Sequence, residues 1–295
     1  MVIVTWNGAH LLPDCLDAVL PEGAPVVVVD NASVDDTAEV LARYPAVTVL
    51  TSPVNAGFAG GVALAVKQIT TEYVVLLNND AAVKQGWLAL LLVPFVDDRV
   101  GAVCSKLLLP DGRVQSAGGW LDAIGYGRDR GFGDPDDGRW DAPCDVAYAT
   151  GTAAAYRSAA LQAIGGIEAR YFLYYEDVEL SLRLWLAGWH VRYEPAAVVV
   201  HQHSASTGAG SLRHTFYTER NRLAMLVVCG TPSVALKAIA RFPLTTLSVA
   251  RGESRAKAIA RVRALGSFLV WLPELLTRRH RTTGDRAAIM QRWLR

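Results

Sequence analysis

Along the first two hundred residues, unbroken apolar runs alternate with stretches whose apolar positions recur at helical spacing. Val2 to Thr5, Val26 to Val29, Val47 to Leu50, Tyr73 to Leu77 and Ala196 to Val200 are short, largely β-branched runs of strand length. Between them, Leu11 to Leu20, the segment from Asp35-Asp36-Thr37, and Ala63 to Gln68 read as helices. The second carries acids in its first turn, where the helix dipole favours negative charge. Strands that are apolar throughout, separated by helices, imply a mostly parallel central sheet covered on both faces. The predicted class is α/β and Rossmann-like.

Three of these strands stop abruptly on polar side chains. Tyr73 to Leu77 runs into Asn78-Asn79-Asp80, Val26 to Val29 into Asp30-Asn31-Ala32-Ser33, and Ala196 to Val200 into His201-Gln202-His203. Ligands of open α/β sheets bind beyond the carboxyl ends of the strands, so these ends are candidate site residues. Asp30 is placed to accept a hydrogen bond from a base N–H or a ribose hydroxyl. Each end also has a purely structural reading: an Asn/Asp turn after Leu77, a helix cap at Asp30 or Ser33, an incidental histidine pair. Alternate strand residues share a face, so His201 and His203 point the same way. Imidazole plus carboxylate with open positions suits a divalent ion carrying a phosphate ligand. Gly57, Gly60 and Gly61 precede a helix and would let backbone N–H groups approach a phosphate. Their spacing fits neither the Walker pattern nor Gly-x-Gly-x-x-Gly.

Further on, Arg113 to Pro143 is rich in Gly, Asp and Arg and reads as a long loop over a site. The aromatic run Tyr171 to Tyr175 then leads into Glu176-Asp177. Val178, Leu182, Trp185 and Trp189 share one helical face, and Glu179 with Arg183 forms an i,i+4 pair on another. Glu176 and Asp177 therefore head a helix that ends near Gly188, where the dipole is expected to favour their ionised form and make a base available. Simple N-capping by Asp177 is the alternative.

The net charge of +1 conceals an asymmetry: Ser211 to Arg295 holds 16 Lys/Arg against 4 Asp/Glu, a net of +12 against −11 before it. Helices bearing Lys237, Arg241, Arg251, Arg255, Lys257, Arg261 and Arg263 among apolar residues read as amphipathic and basic, suited to an anionic membrane face. An ordinary helical appendage or an oligomer interface is the other reading. The apolar stretches Leu223 to Val228 and Leu265 to Leu276 are broken by Gly230-Thr231-Pro232 and Pro273-Glu274, and neither reaches the ~20 residues of a membrane span. Cys15, Cys104, Cys144 and Cys229 show no metal-type spacing, and Met1 to Asn7 lacks a basic leader region. The expectation is a cytoplasmic protein, peripheral on the inner face of the membrane.

Taken in order, Val4-Thr5-Trp6-Asn7, Asp30-Asn31-Ala32-Ser33 with Asp36-Thr37, Asn55 to Gly61, Leu77-Asn78-Asn79-Asp80, Gly165-Gly166-Ile167 and Tyr175 to Arg183 resemble glycosyltransferase family 2, nearest its bacterial rhamnosyltransferase-like branch. The resemblance spans roughly residues 2 to 207 and implies a GT-A domain over 1–210 with a basic helical region over 211–295. It further implies inverting transfer of a sugar, rhamnose favoured, from a dTDP-, UDP- or GDP-sugar to a glycan or polyprenyl-linked acceptor, aided by Mg or Mn.

Carried over residue by residue, Asp30 resembles the nucleobase contact, and Asn55, Gly57 and Gly60 the nucleotide and diphosphate cradle, with Thr5 and Asn7 beside them. Asn78-Asn79-Asp80 resembles an Asp-x-Asp element in which Asn78 replaces the first carboxylate, leaving Asp80 as the metal carboxylate. His201 resembles the histidine that completes the metal shell, with His203 the lesser candidate. Asp177 resembles the catalytic base and Glu176 its neighbour. Two other classes remain open: a sugar nucleotidyltransferase, disfavoured by the missing Arg/Lys-containing glycine loop after the first strand, and a non-catalytic membrane- or nucleic-acid-binding protein using the basic tail.

Overall fold

The computed structural model describes residues 1–202 and 210–295. In chain order the elements are β1 (Val2–Thr5), α1 (Leu12–Val19), β2 (Val26–Asp30), α2 (Thr37–Ala42), β3 (Val47–Thr51), α3 (Gly57–Val66), β4 (Tyr73–Asn78), β5 (Ala81–Val83), α4 (Trp87–Leu92) and β6 (Val100–Leu108). There follow β7 (Val114–Ser116), β8 (Gly119–Leu121), β9 (Gly127–Asp129), β10 (Cys144–Asp145), β11 (Ala153–Arg157), α5 (Ser158–Ala163), α6 (Glu176–Leu186) and β12 (His190–His201). The basic tail supplies α7 (Leu212–Cys229), α8 (Pro232–Gly252), α9 (Arg255–Arg281) and α10 (Arg286–Trp293).

The main sheet runs β10-β12-β6-β11-β4-β1-β2-β3, with β5 on β12 and β7 on β6. Its β4-β1-β2-β3 half is parallel, as is the β6–β12 pair. β11 is antiparallel to both β4 and β6 and joins the two blocks. Period-two alternation sends Ile3, Val28 and Leu77 into the core under α1 and α4, and Val2, Val29 and Leu76 into the core under α3 and α6. The register sets Val4 opposite Asn78 and Thr5 opposite Asp30, so β1, β2 and β4 end at one level.

Four expectations need correction. Arg113 to Pro143 is no bare loop: it holds β7 and the β8–β9 hairpin, with Val114, Gln115, Ser116, Ala117 and Leu121 buried. Its glycines serve tight turns, with positive φ at Gly118, Gly125, Gly131, Gly133 and Gly138. Gly57, Gly60 and Gly61 do not precede α3 but form its first turns. Pro273 does not interrupt the tail either, since α9 passes through it as α8 passes through Pro243. Both prolines sit on exposed faces of their helices. Arg261, expected on a solvent-facing basic surface, is buried against Glu219.

The tail packs into the body. Leu223 to Cys229 of α7, Phe268 and Trp271 of α9, and Met290 and Trp293 of α10 share the core of α6, Tyr171 and Tyr175. Glu179, fully buried, takes a bidentate pair of hydrogen bonds from Arg183 at 2.8 Å each and a third contact from Arg278 of α9 at 3.3 Å. Arg183 also donates to the Ile164 and Gly166 carbonyls, so each charge is enclosed in hydrogen bonds rather than left bare.

Candidate functional site

A cavity of about 770 Å³ opens beyond the carboxyl ends of β1 and β4. Thr5, Asn55, Gly57, Asn78, Asn79, Asp80, Glu176, Asp177 and His201 line it. Asn7, Asp30 and Gly60 do not. Asn7, at φ 51°, receives a hydrogen bond from Val34 N on its side chain and donates through its backbone to Ser33 Oγ, each at 2.8 Å, which braces the loop. Asp30 accepts from Ser33 N, three residues on, at 3.0 Å and closes the turn after β2. Gly60 leaves room for the N-cap residue of its own helix, since a Cβ there would meet the Ala56 methyl at 2.6 Å.

Asn31, next to Asp30, is the residue of that motif that reaches the cavity. Its amide donates to Gly57 O at 2.8 Å, while its Oδ1 is buried with no partner among the described residues. Gly57 is required for steric reasons of its own: its φ is +72°, and an added Cβ would lie 2.2 Å from Phe172 O. Asn55 Oδ1 accepts from Gly57 N at 2.9 Å and fixes that turn. Thr5 Oγ1 accepts from Asn79 Nδ2 at 3.0 Å, tying the ends of β1 and β4 together, and the space between them excludes any side chain at Gly8.

The antiparallel β5–β12 pairing sets His201 opposite Ala81 and so beside Asp80. His201 Nε2 lies 3.0 Å from Asp80 Oδ1, and Nδ1 lies 2.9 Å from Gln115 Oε1. With Nδ1–H donating to Gln115, the Nε2 lone pair faces a carboxylate oxygen, and two acceptors so placed need a proton or a cation between them. A spacing of 3.0 Å is also that of neighbouring corners in an octahedron with metal–ligand distances of about 2.1 Å. Among the described residues no group of three or more His, Cys, Asp or Glu converges as a metal cage. The pair nonetheless fits a divalent ion that takes its remaining ligands from phosphate and water. His203 lies outside the described residues.

Glu176 and Asp177 open α6 after three non-glycine residues with positive φ: Phe172 (67°), Tyr174 (66°) and Tyr175 (68°). Asp177 Oδ2 accepts from Gly151 N at 2.9 Å and Oδ1 from Val178 N at 2.7 Å. Glu176 is 5 % exposed, and its Oε2 has no partner among the described residues. The dipole was expected to hold both ionised, but burial prevails: it raises the Asp177 carboxyl and drives Glu176 well above the carboxylate range, with the Asp177 charge adding to the latter.

Sequence reasoning missed part of the wall. Asp129, on β9, accepts from Ser116 Oγ at 2.9 Å, and burial pushes its carboxyl up to about 6. Tyr126 and Arg128 come from the same hairpin, and Arg213, His214, Glu219, Lys257 and Arg261 from the tail. Tyr126 donates to Glu219 at 2.6 Å, and Arg222 and Arg261 close on the same carboxylate. The hairpin has too short a period to mark its buried face, and the tail residues lie more than 130 positions beyond β4.

The family model described as Glycosyl transferase family 2 matches residues 1–165. A Mycobacterium tuberculosis protein named N-acetylglucosaminyl-diphospho-decaprenol L-rhamnosyltransferase is 29 % identical over 242 residues, covering 72 % of this chain and 79 % of its own. A pre-mycofactocin glycosyltransferase of the same organism is 28 % identical over 207 residues, 66 % of this chain and 41 % of the relative. Among solved structures, GalNAc-T7 with UDP, GalNAc and Mn2+ superposes with a TM-score of 0.71 at 16 % identity, over 98 % of this chain and 55 % of the other. Residues 1–349 of TarS from S. aureus superpose at 0.59 and 17 % identity, over 93 % and 81 %. At these identities the likeness is one of fold.

Proposed function

We propose, from the premise that the chain belongs to glycosyl transferase family 2 and is a GT-A glycosyltransferase, that it passes a sugar from a nucleotide-diphosphate donor to a carbohydrate hydroxyl with inversion. The observation that carries this reading is a half-buried carboxylate, Asp177, facing the same cavity as the Asp80–His201 pair at the strand ends. Asp177 takes the proton of the acceptor hydroxyl as its oxygen attacks the anomeric carbon. The bond from that carbon to the β-phosphate oxygen breaks, its electron pair leaving with the nucleoside diphosphate. A base so placed contributes typically about 10²–10⁴-fold. Gly151 N and Val178 N hold both Asp177 oxygens, which fixes the direction of proton transfer. Asp80 and His201 would hold Mg or Mn, which when bound neutralises charge on the leaving diphosphate. No covalent nucleophile is needed.

Rhamnose is the favoured sugar and a polyprenyl-linked glycan the favoured acceptor, supported by the activity named for the 29 % identical Mycobacterium tuberculosis relative. The division into a transferase region over 1–210 and a helical region over 211–295 is part of the same reading. The packed pair α8–α9 exposes Leu236, Leu244, Ile259, Val262, Leu269 and Val270 among Lys237, Arg241, Arg255 and Arg263, which supports peripheral attachment to an anionic membrane face. Among the described residues no helix is long and apolar enough to cross a membrane.

The test is calorimetry of wild type and Asp80→Ala with dTDP, UDP, GDP and their sugars, with and without Mn. Metal-dependent binding of one nucleotide series, lost in Asp80→Ala, is expected. A folded wild type that binds no nucleotide sinks the donor reading.

A further inference from the structure

The cavity wall carries four Lys or Arg side chains: Arg128, Arg213, Lys257 and Arg261. Three are paired with carboxylates. Arg128 meets Asp122 at 2.8 Å, Lys257 meets Glu253 at 3.1 Å, and Arg261 closes on Glu219. Among the described residues Arg213 has no carboxylate within ion-pair distance, and residues 203–209 contain no Asp or Glu in sequence. Its guanidinium is held by aromatic faces instead: 5.1 Å from the Phe172 ring centre, 5.7 Å from Trp6 and 6.0 Å from Tyr217. Phe172 and Tyr217 stack on each other at 4.9 Å with an interplanar angle of 10°. The ring faces orient the cation without neutralising it.

Position narrows what the charge is for. Trp6 follows β1 directly, and Phe172 is the residue against which Gly57 and α3 close, through Ala59 N to Phe172 O at 3.1 Å. Arg213 thus stands at the β1–α3 end of the cavity, whereas Lys257 and Arg261 belong to the α9 wall. Charge balance points the same way. Asn78 and Asn79 are neutral, so Asp80 is the single carboxylate of the β4 end. One divalent ion on Asp80 leaves a net charge of +1, against a nucleoside diphosphate that departs with about −3. A cation beside it, at the neighbouring β1 end, would offset part of the remaining charge.

We propose that Arg213, presented by the first turn of α7 on the Trp6–Phe172–Tyr217 ledge, binds the diphosphate of the nucleotide donor. A guanidinium fork matches the two phosphate oxygens it would meet, and its hydrogen bonds there are charge-assisted. The inference rests on the donor reading above and adds the residue that distinguishes a diphosphate from a monophosphate. A diphosphate on a lipid-linked acceptor has the same chemistry, but Arg213 meets the cavity beside Trp6 and Phe172, at the Gly57 end, and not on the α9 wall that carries Lys257 and Arg261.

The experiment is a phosphate ladder on the full chain with Mn present: nucleoside, monophosphate and diphosphate of the base that wild type prefers, by calorimetry, for wild type, Arg213→Gln and Arg213→Lys. Wild type gains affinity from monophosphate to diphosphate. In Arg213→Gln the diphosphate is expected to weaken about tenfold or more, toward the monophosphate value, with the nucleoside unchanged and Arg213→Lys intermediate. Diphosphate binding within about twofold of wild type overturns the proposal, as does equal loss of all three ligands, which marks a packing role. Unchanged nucleotide binding with a raised KM for a polyprenyl diphosphate acceptor assigns the cation to the acceptor and equally overturns it. A wild type that binds no member of the ladder fails the donor reading itself, a result distinct from each of these.

Discussion

The side-chain amide of Asn221, on α7, donates to the carbonyl of Tyr174 at 2.7 Å, and the same nitrogen lies 2.9 Å from the carbonyls of Tyr171 and Leu173. These are the peptides around the left-handed residues that turn the chain into α6. A non-glycine residue at positive φ costs of order 1–3 kcal/mol and persists only where its surroundings hold it. Asn221 is fully buried and supplies that hold. The tail thereby fixes the segment that aims Asp177.

Asn221→Ala removes the donor that these carbonyls share, Tyr171 keeping Arg220 and Leu173 N, so a stability loss of about 2 kcal/mol is expected by chemical denaturation. Turnover should fall further than stability explains, because the entry to α6 relaxes. Nucleoside affinity should stay near wild type, since Asn55 is bonded elsewhere, while diphosphate affinity follows the braced Phe172 that seats Arg213. Equal losses in nucleoside binding and turnover would refute the strut.

Asp177→Asn keeps the shape of the side chain and removes the base, so kcat should drop by about 10²–10⁴-fold with donor binding intact. Because burial raises the Asp177 carboxyl, the acid limb of kcat/KM should lie above the ordinary aspartate range: activity is present where the carboxylate is ionised and is lost as pH falls through the raised value. A limb at the ordinary value would remove Asp177 as the base.

Much of this was legible beforehand because strands and functional ends coincide. The run from Tyr73 to Leu77 is apolar on both faces, so its stop at Asn78 marks both the strand end and the cavity floor. Glu179 and Arg183 were legible as a pair from their spacing, but not as buried, because i,i+4 charge pairs look the same on a wet face. β6 and β11, central strands, were missed: Ser105 and Lys106 break the apolar run of the first, and the alanines of the second lack β-strand character. Lys106 is paired with Asp136 and Asp141 from the hairpin region, a long-range compensation that no local window contains.

Asp129 gives a stability test independent of turnover. Its folded value is raised to about 6 from an ordinary 3.8, so between those values the folded chain holds a proton that the unfolded chain has released. Stability therefore falls as pH rises through that window, and the penalty remains above it. Asp129→Asn should flatten the slope of unfolding free energy between pH 3.8 and about 6 and leave the protein more stable at neutral pH. A steeper slope, or a loss of stability at neutral pH, would show that the ionised carboxylate is held favourably.

The membrane reading is tested by charge more cleanly than by hydrophobicity, since polar substitutions on α8 and α9 also improve solubility. Lys237 and Arg241 are exposed on α8, one turn apart, beside the exposed Leu236 and Leu244. Each basic residue near an anionic surface is worth about 1 kcal/mol, so Lys237→Gln with Arg241→Gln should weaken binding to phosphatidylserine-containing vesicles by about thirtyfold. Calorimetric nucleotide affinity should not change, because neither residue lines the cavity. Binding should fall further as salt rises, since the attraction acts within a Debye length of about 10 Å at 0.1 M. Wild-type chain that ignores anionic vesicles at moderate salt would leave the exposed apolar residues of α8 and α9 to another partner and remove the membrane from the proposed function, with the chemistry of the cavity untouched.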